Sequence, residues 1–122
     1  MIKFTWDNSK NEANIKKHGV SFEEAVSVFD DTGSLIMFDE VHSTADEDRF
    51  LIIGVSYKIR VLLVCHCYRE NDTVVRIISA RKADFNERNA YATNDERLLR
   101  FLQSKKESIH KTSQKTGDNK SE

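Results

Sequence analysis

The chain has 122 residues, of which 39% are hydrophobic and 32% charged, as expected for one domain with a modest core. No apolar run reaches the roughly 18 residues of a membrane span, and the first residues lack the apolar centre of a signal peptide. The net charge of −1 hides an asymmetry, because residues 1–50 carry five basic and eleven acidic side chains, whereas residues 51–100 carry nine and six. We therefore expect a cytoplasmic protein that meets nucleic acid, if at all, through a local basic patch.

The first third of the chain predicts one strand and two helices. Residues 2–5 form a short apolar strand, and Asp7 is a suitable N-cap for a helix over Asn8–His18. Gly19 supplies the left-handed stop of that helix. Ser21 opens a second helix with a capping box, a serine followed three residues later by a glutamate. The apolar face of this second helix consists of Phe22, Ala25, Val26 and Phe29.

A sheet and a third helix are predicted to follow. Four stretches rich in β-branched or bulky apolar residues predict strands over residues 34–38, 50–55, 60–68 and 74–79. The connections at residues 56–59 and 70–73 are short enough for hairpins, so these strands should pair antiparallel. From Asp84 onward the pattern is helical, with apolar positions at Phe85, Tyr91, Leu98, Leu99 and Leu102. The sequence thus predicts an α+β fold: a small antiparallel β-sheet with two N-terminal helices and a C-terminal helix packed on it.

The end of the chain loses this apolar periodicity. Residues 104–122 contain one apolar side chain, Ile109, among lysine, serine, threonine and amide residues. Such a composition cannot bury enough apolar surface to offset the entropy of ordering. We therefore expect one domain over residues 1–103 and a disordered polar tail over residues 104–122.

The two cysteines predict buried thiols. Cys65 and Cys67 lie two apart in a predicted strand, so they point to the same face and are poorly oriented to form a disulfide with each other. A zinc site built on Cys65, His66 and Cys67 is disfavoured by the spacing and by the lack of a second ligand pair. We expect no metal and no cofactor.

Four histidines offer candidates for acid–base chemistry. Histidine suits the role of a general acid or base near neutral pH because its pKa is about 6.5. His18 ends the first predicted helix beside Lys17, although a position at a helix C-terminus also suits a histidine for electrostatic reasons. His66 lies within a predicted strand, where a structural role is the alternative. His42 and His110 fall in polar segments with no rigid element to place them.

The basic residues of the last predicted strand are the other candidates. Arg76 interrupts an otherwise apolar strand and must reach an edge, a partner or an anion. Arg81 and Lys82 lie where the strand gives way to a helix, a common place for functional groups on a rigid scaffold. Glu87 and Arg88 follow one helical turn later and either complete such a site or solvate the helix. Salt bridges to the abundant carboxylates are the alternative for the arginines.

Taken in order, several segments resemble the BrnT family of toxins. The N-terminal signature is Phe4-Thr5-Trp6-Asp7, Lys10 and Asn14, followed by Lys17-His18-Gly19-Val20-Ser21-Phe22-Glu23-Glu24-Ala25. Phe29-Asp30-Asp31, His42, Arg49 and Gly54 then fall in the same order as in that family. The C-terminal signature is Arg76-Ile77-Ile78-Ser79-Ala80-Arg81-Lys82-Ala83 with Glu87-Arg88 and Tyr91. The resemblance covers residues 2–91.

The resemblance implies a RelE-like fold and a ribonuclease that inhibits translation. It also implies neutralisation by a BrnA-like antitoxin with a ribbon-helix-helix DNA-binding domain, through which the pair would bind operator DNA and repress its own operon. On this basis we predict a metal-independent endoribonuclease with RNA as its substrate. The catalytic residues would be His18, Arg76, Arg81 and Glu87, and the RNA-binding residues Lys17, His66, Arg69, Lys82 and Arg88. The alternative is a catalytically inactive protein that binds the antitoxin and acts as a transcriptional co-repressor.

Overall fold

A five-stranded sheet forms the centre of the domain in the computed structural model, which describes residues 2–95 of the chain. The strands are β1 (Lys3–Thr5), β2 (Leu35–Phe38), β3 (Phe50–Val55), β4 (Val61–Arg69) and β5 (Val74–Lys82). Their spatial order is β1-β5-β4-β3-β2. Strands β2 to β5 pair antiparallel, as the short connections predict, and β1 adds a parallel edge strand beside β5. The sheet is therefore mixed only at this one edge.

Three helices pack on this sheet: α1 (Asn8–His18), α2 (Phe22–Ser27), which continues into a short 3-10 turn over Val28–Asp30, and α3 (Phe85–Thr93). The cap of α1 forms as predicted, with Asp7 accepting from two backbone amides and Gly19 ending the helix at a φ of 69°. Two helices before strands β2 to β5 and one after them confirm the predicted α+β arrangement.

The capping box predicted for α2 forms only in part. The Ser21 hydroxyl accepts from the backbone N–H of Glu24, but the Glu24 carboxylate binds the side chains of Ser56 and Arg60. A complete capping box occurs instead at α3, where Asp84 and Glu87 cap each other's backbone amides. The serine–glutamate spacing therefore predicted the start of α2 correctly, but the predicted bond from the Glu24 side chain to the helix N-terminus does not form.

The sheet buries both of its faces, which we name for the helices that cover them. The α1–α2 face packs against α1 and α2 through Val20, Phe22, Ala25, Val28, Ile52, Leu62, Val64, Val75, Ile77 and Ala80. The α3 face packs partly against α3 through Leu35, Met37, Leu51, Ile53, Leu63, Cys65, Ala83 and Ala90. Helix α3 has nine residues and contributes Ala90 and Tyr91 to this core.

An irregularity between β4 and β5 decides which face the arginines of β5 occupy. Arg76 and Arg81 are five residues apart, so in a regular strand they would point to opposite faces. One extra residue in β5, Ile78, has no partner in β4. Arg76 then pairs with Cys67 and Arg81 with Leu63. Leu63 belongs to the α3 face, and Cys67 lies four residues later on the same side of β4. The bulge thus places the two arginines on one face.

The predicted boundary at residue 103, the apolar positions at Leu98, Leu99 and Leu102, and the polar tail over residues 104–122 lie outside the described residues. Within residues 2–95, no helix is both long and apolar enough to cross a membrane.

Candidate functional site

A buried asparagine fixes α1 to the sheet. Asn14 donates from Nδ2 to the carbonyl oxygens of Val20 and Ala80 at 2.8 and 2.7 Å, and its Oδ1 accepts from the Ala80 amide at 3.1 Å. Strand β1 pairs only with the first three residues of β5, so Asn14 takes the place of a neighbouring strand at Ala80. His18 lies one helical turn after Asn14, on the same side of α1. This attachment brings His18 to the end of β5 that carries Arg81.

A cavity of about 290 Å³ opens at this junction of α1, β4 and β5. Its volume is at the lower end of those that bind small ligands. His18 and Arg81 both contribute to its wall, so the structure brings together two of the residues predicted from the sequence. The full lining is His18, Asp39, Val41, His42, Leu51, Leu63, Cys65, Ser79, Ala80 and Arg81.

Arg81 is held by a buried carboxylate. Its Nη1 and Nη2 donate to the two carboxylate oxygens of Glu87 at 2.8 and 2.9 Å, and Nη1 also donates to the Lys82 carbonyl at 3.2 Å. Glu87 is fully buried, and one of its oxygens also accepts from the Asp84 amide. The salt bridge that the sequence left open as an alternative is therefore present. These contacts use three of the five N–H donors of the guanidinium.

His18 is half-buried in the cavity wall. Burial lowers the pKa of His18 from its ordinary value of 6.5, and the positive charges of Lys17 and Arg81 lower it further. The neutral imidazole is thereby favoured at neutral pH, and a neutral imidazole can accept a proton.

His42 also lines the cavity, although the sequence gave no rigid element to place it. Its ring Nδ1 lies 2.8 Å from Oδ2 of Asp39, whose carboxylate is almost completely buried. The backbone fixes the surrounding loop, since Asp39 donates to the Arg49 carbonyl at 2.8 Å and Ser43 donates to the Asp39 carbonyl at 3.1 Å. The signal that could have found this pair is the spacing Asp-x-x-His directly after a strand.

His66 lies in the core and not in the cavity. It is 0% exposed, its ring packs edge-on against Phe29 at 4.9 Å, and its Nε2 lies 3.2 Å from the Tyr68 hydroxyl. Burial lowers the pKa of His66 to about 4. This position gives His66 no surface for RNA, and it favours the structural role that the sequence left open.

The buried neutral His66 should make the domain sensitive to acid. Its pKa is 6.5 when unfolded and about 4 when folded, so its contribution is complete above pH 6.5 and is lost as the pH falls toward 4. This loss amounts to roughly 3 kcal/mol. We expect His66→Phe, which cannot be protonated, to lose less stability over this range in urea unfolding. Equal losses in the two proteins would contradict the assignment of a buried neutral His66.

Two of the predicted arginines of the sheet, Arg69 and Arg76, lie near a third arginine, Arg49, which directly precedes β3. Arg49, Arg69 and Arg76 lie around Cys67, and although burial raises the pKa of that thiol, their positive charges act to lower it. Glu47 lies among them and binds Arg49 at 2.7 Å and Arg69 at 2.9 Å. We call these three residues the arginine cluster. The cluster carries three positive charges on the same face of the sheet as Arg81, and four carboxylates, those of Asp46, Glu47, Asp48 and Asp72, line a surface depression together with Arg69.

The other predicted RNA-binding residues lie around the cavity at different orientations. Lys17 is exposed beside His18. Lys82 pairs with Leu62 and so points to the opposite face from Arg81. Arg88 on α3 donates to the Ala83 carbonyl at 2.8 Å, and its guanidinium carbon lies 6.0 Å from the centre of the Phe85 ring. Lys17 directly precedes His18 and Lys82 directly follows Arg81, so each adjoins a residue of the cavity wall in sequence.

The cysteines are free and buried, as the strand pattern predicts. Cys65 packs with the core of the α3 face, whereas His66 packs with aromatic rings on the other face. Over residues 2–95 no three histidine, cysteine or carboxylate side chains are grouped so that they could hold a metal ion.

Comparison of the sequence and the structure with known proteins identifies the family of this chain. The family model described as the ribonuclease toxin BrnT of type II toxin–antitoxin systems matches residues 6–87. The crystal structure of the Brucella abortus ribonuclease toxin BrnT matches with a TM-score of 0.52 and 23% sequence identity, covering 69% of this chain and 99% of that chain. At this identity the structural likeness supports the fold alone. No curated protein matches the sequence. Because the family model covers more than half of the chain, the protein belongs to the BrnT family of ribonuclease toxins.

Proposed function

We propose that this protein is the toxin of a type II toxin–antitoxin pair and that it cleaves RNA at the cavity without a metal ion, thereby inhibiting translation. The observation that carries the proposal is that α1 brings His18 next to Arg81 in one cavity wall, although the two residues are far apart in sequence. A proton acceptor beside a fixed cation is what cleavage by the RNA's own 2′-hydroxyl requires.

The chemistry follows from these two residues. His18, largely neutral at pH 7, removes the proton of the 2′-hydroxyl, and the 2′-oxygen attacks the adjacent phosphorus. The bond from phosphorus to the 5′-oxygen breaks, which leaves a 2′,3′-cyclic phosphate and a 5′-hydroxyl. Arg81 donates its remaining N–H groups to the phosphate oxygens, where negative charge accumulates in the transition state. Glu87 is a positioning residue in this scheme, because its carboxylate is buried and bound to Arg81.

The arginine cluster would bind the RNA backbone beyond the scissile phosphate. Arg76 and Arg81 lie on one face and are separated by roughly 15 Å along β5. They therefore contact different nucleotides of one strand, and Arg76 acts in binding and not at the reacting phosphorus. Lys17 and Arg88 add positive charge near the cavity. Lys82 points to the opposite face, so we assign it no contact at the reacting phosphate.

The partner would be a BrnA-like antitoxin with a ribbon-helix-helix domain, through which the complex reaches operator DNA in the cytoplasm. One surface suits such a partner. Strand β2 is at the edge of the described sheet, and its Ile36 and Phe38 are 46% and 42% exposed. An exposed apolar edge strand is stabilised when a partner covers it.

RNA cleavage by the purified chain in EDTA tests the proposal. We expect single-stranded RNA to be cut and DNA of the same sequence to remain intact, because DNA lacks the 2′-hydroxyl. His18→Gln should slow RNA cleavage ~10²–10⁴-fold, the usual contribution of a general base. Circular dichroism would confirm that both proteins fold. A folded wild-type protein that binds its antitoxin but leaves RNA intact would instead support the inactive co-repressor.

A further inference from the structure

We propose that His42, held by Asp39, is the general acid of the cleavage reaction and acts in the same cavity as His18. This assignment rests on the proposed ribonuclease function and adds the proton donor that the scheme above lacks. It follows from the geometry of the Asp39–His42 pair and from its place in the same cavity wall as His18 and Arg81.

The carboxylate of Asp39 is placed in a way that packing alone does not explain. Its residue is 1% exposed, and a buried carboxylate is costly unless it is bound. Both of its oxygens approach His42, with Oδ2 at 2.8 Å from Nδ1 and Oδ1 at 3.4 Å from the backbone nitrogen. The Cys65 thiol also donates to Oδ2 at 3.6 Å. The buried Asp39 carboxylate therefore fixes the orientation of the His42 ring.

The ring that Asp39 orients is itself accessible. The His42 side chain is 61% exposed, and its bond to Asp39 uses Nδ1. The Nδ1–H donates to the carboxylate, which leaves Nε2 as the nitrogen that can meet a ligand. A histidine with a purely structural role has no need of this arrangement, in which one nitrogen is fixed from the interior and the other stays available.

This arrangement allows His42 to donate a proton without losing its anchor. With both nitrogens protonated, the ring keeps its bond to Asp39 and holds an Nε2–H for the 5′-oxygen. As His18 takes the proton of the 2′-hydroxyl and the 2′-oxygen bonds to phosphorus, the 5′-oxygen leaves with the proton from His42. His18 ends protonated and His42 neutral, and exchange with solvent restores both.

Different groups face the two histidines. Burial and the positive charges of Lys17 and Arg81 face His18 and favour its neutral form, which suits a base. His42 faces a carboxylate, Asp39, and the thiol of Cys65 lies behind it. Burial, with the negative charge of Asp39, raises the pKa of Cys65 to about 12, so that group stays an uncharged thiol at neutral pH.

A change of leaving group in the RNA tests the assignment. His42→Ala should slow cleavage of ordinary RNA ~10²–10⁴-fold, the usual range for a general acid. In RNA with sulfur in place of the 5′-bridging oxygen, the leaving thiolate needs no proton, so His42→Ala should cut it almost as fast as the wild type does. His18→Gln should be slow on both substrates. Glu40→Gln, an exposed change in the same loop outside the cavity wall, is the control and should cut both normally.

Asp39→Asn gives a second, independent reading of the pair. Because Asp39 is a positioning residue for His42, Asp39→Asn should slow the cleavage of ordinary RNA. It should cleave the sulfur-substituted RNA at nearly the wild-type rate, as His42→Ala does. If the folded wild type cleaves no RNA, the ribonuclease proposal itself fails. If the wild type cleaves and His42→Ala matches it on ordinary RNA, or is equally slow on both substrates, His42 is not the general acid.

Discussion

Replacing Arg81 with glutamine should slow RNA cleavage ~10²–10³-fold, since it removes a fixed cation from the charge that develops at phosphorus. The same change also removes the ion pair that Arg81 makes with Glu87, which is fully buried. Breaking a buried ion pair on one side costs about 3–5 kcal/mol. Because the Arg81 side chain is partly exposed, we expect the lower end of that range.

A double variant separates the two effects. Glu87→Gln combined with Arg81→Gln replaces the ion pair with two neutral amides that can bond to each other, so most of the lost stability should return. Cleavage should remain as slow as in Arg81→Gln alone. Urea unfolding and single-turnover cleavage, measured on the same preparations, check the two expectations. Recovery of activity together with stability would show that Arg81 serves only the fold.

Replacing Arg60 with alanine should destabilise the domain more than any surface change. Its Nε and Nη2 bind the Glu24 carboxylate at 2.7 and 2.6 Å, and Glu24 is fully buried. Removing the cation leaves an uncompensated buried charge, with an expected cost of about 3–5 kcal/mol. The matched control is Arg69→Ala, because Arg69 pairs with Glu47, which is partly exposed. This change should lower the free energy of unfolding by about 0–1 kcal/mol. Similar losses in the two variants would contradict this account of the core.

The same ion pair predicts how stability depends on pH. Hydrogen bonds from Arg60 and Ser56 outweigh burial and hold the pKa of Glu24 below its ordinary value of 4.5. The contribution of Glu24 is therefore present above that value and is lost as the pH falls through the lowered, folded-state pKa. In Arg60→Ala the main cause of the lowered pKa is gone, so the protonated carboxyl is favoured at a higher pH. The variant should consequently show a weaker loss of stability below pH 4.5 than the wild type.

The sequence predicted most of the fold because the local signals were strong. Asp7 and Gly19 bound α1, and the runs of β-branched residues gave the strands to within a few residues. The parallel pairing of β1 could not be predicted, because a strand of three residues carries no signal for its neighbour. Nor could the bulge at Ile78, which depends on how β5 pairs with β4 and not on β5 alone.

The candidate site was only partly predictable for the same reason. Arg81 was identified because it ends an apolar strand. Its neighbour His18 depends on Asn14 binding the Ala80 backbone, a contact between residues 66 apart in sequence. His42 was missed because it lies in a polar loop, which the buried Asp39 and backbone hydrogen bonds hold in place.

Analysis of the RNA ends left by the purified wild-type protein in EDTA tests the central claim most directly. Attack by the 2′-oxygen, with His18 as base, must leave a 2′,3′-cyclic phosphate on one fragment and a 5′-hydroxyl on the other. We expect these ends from the folded wild type, and ends of the same kind, formed more slowly, from Arg81→Gln. Fragments that carry 5′-phosphates and 3′-hydroxyls would instead show that water attacks the phosphorus, and would contradict the mechanism proposed for this cavity.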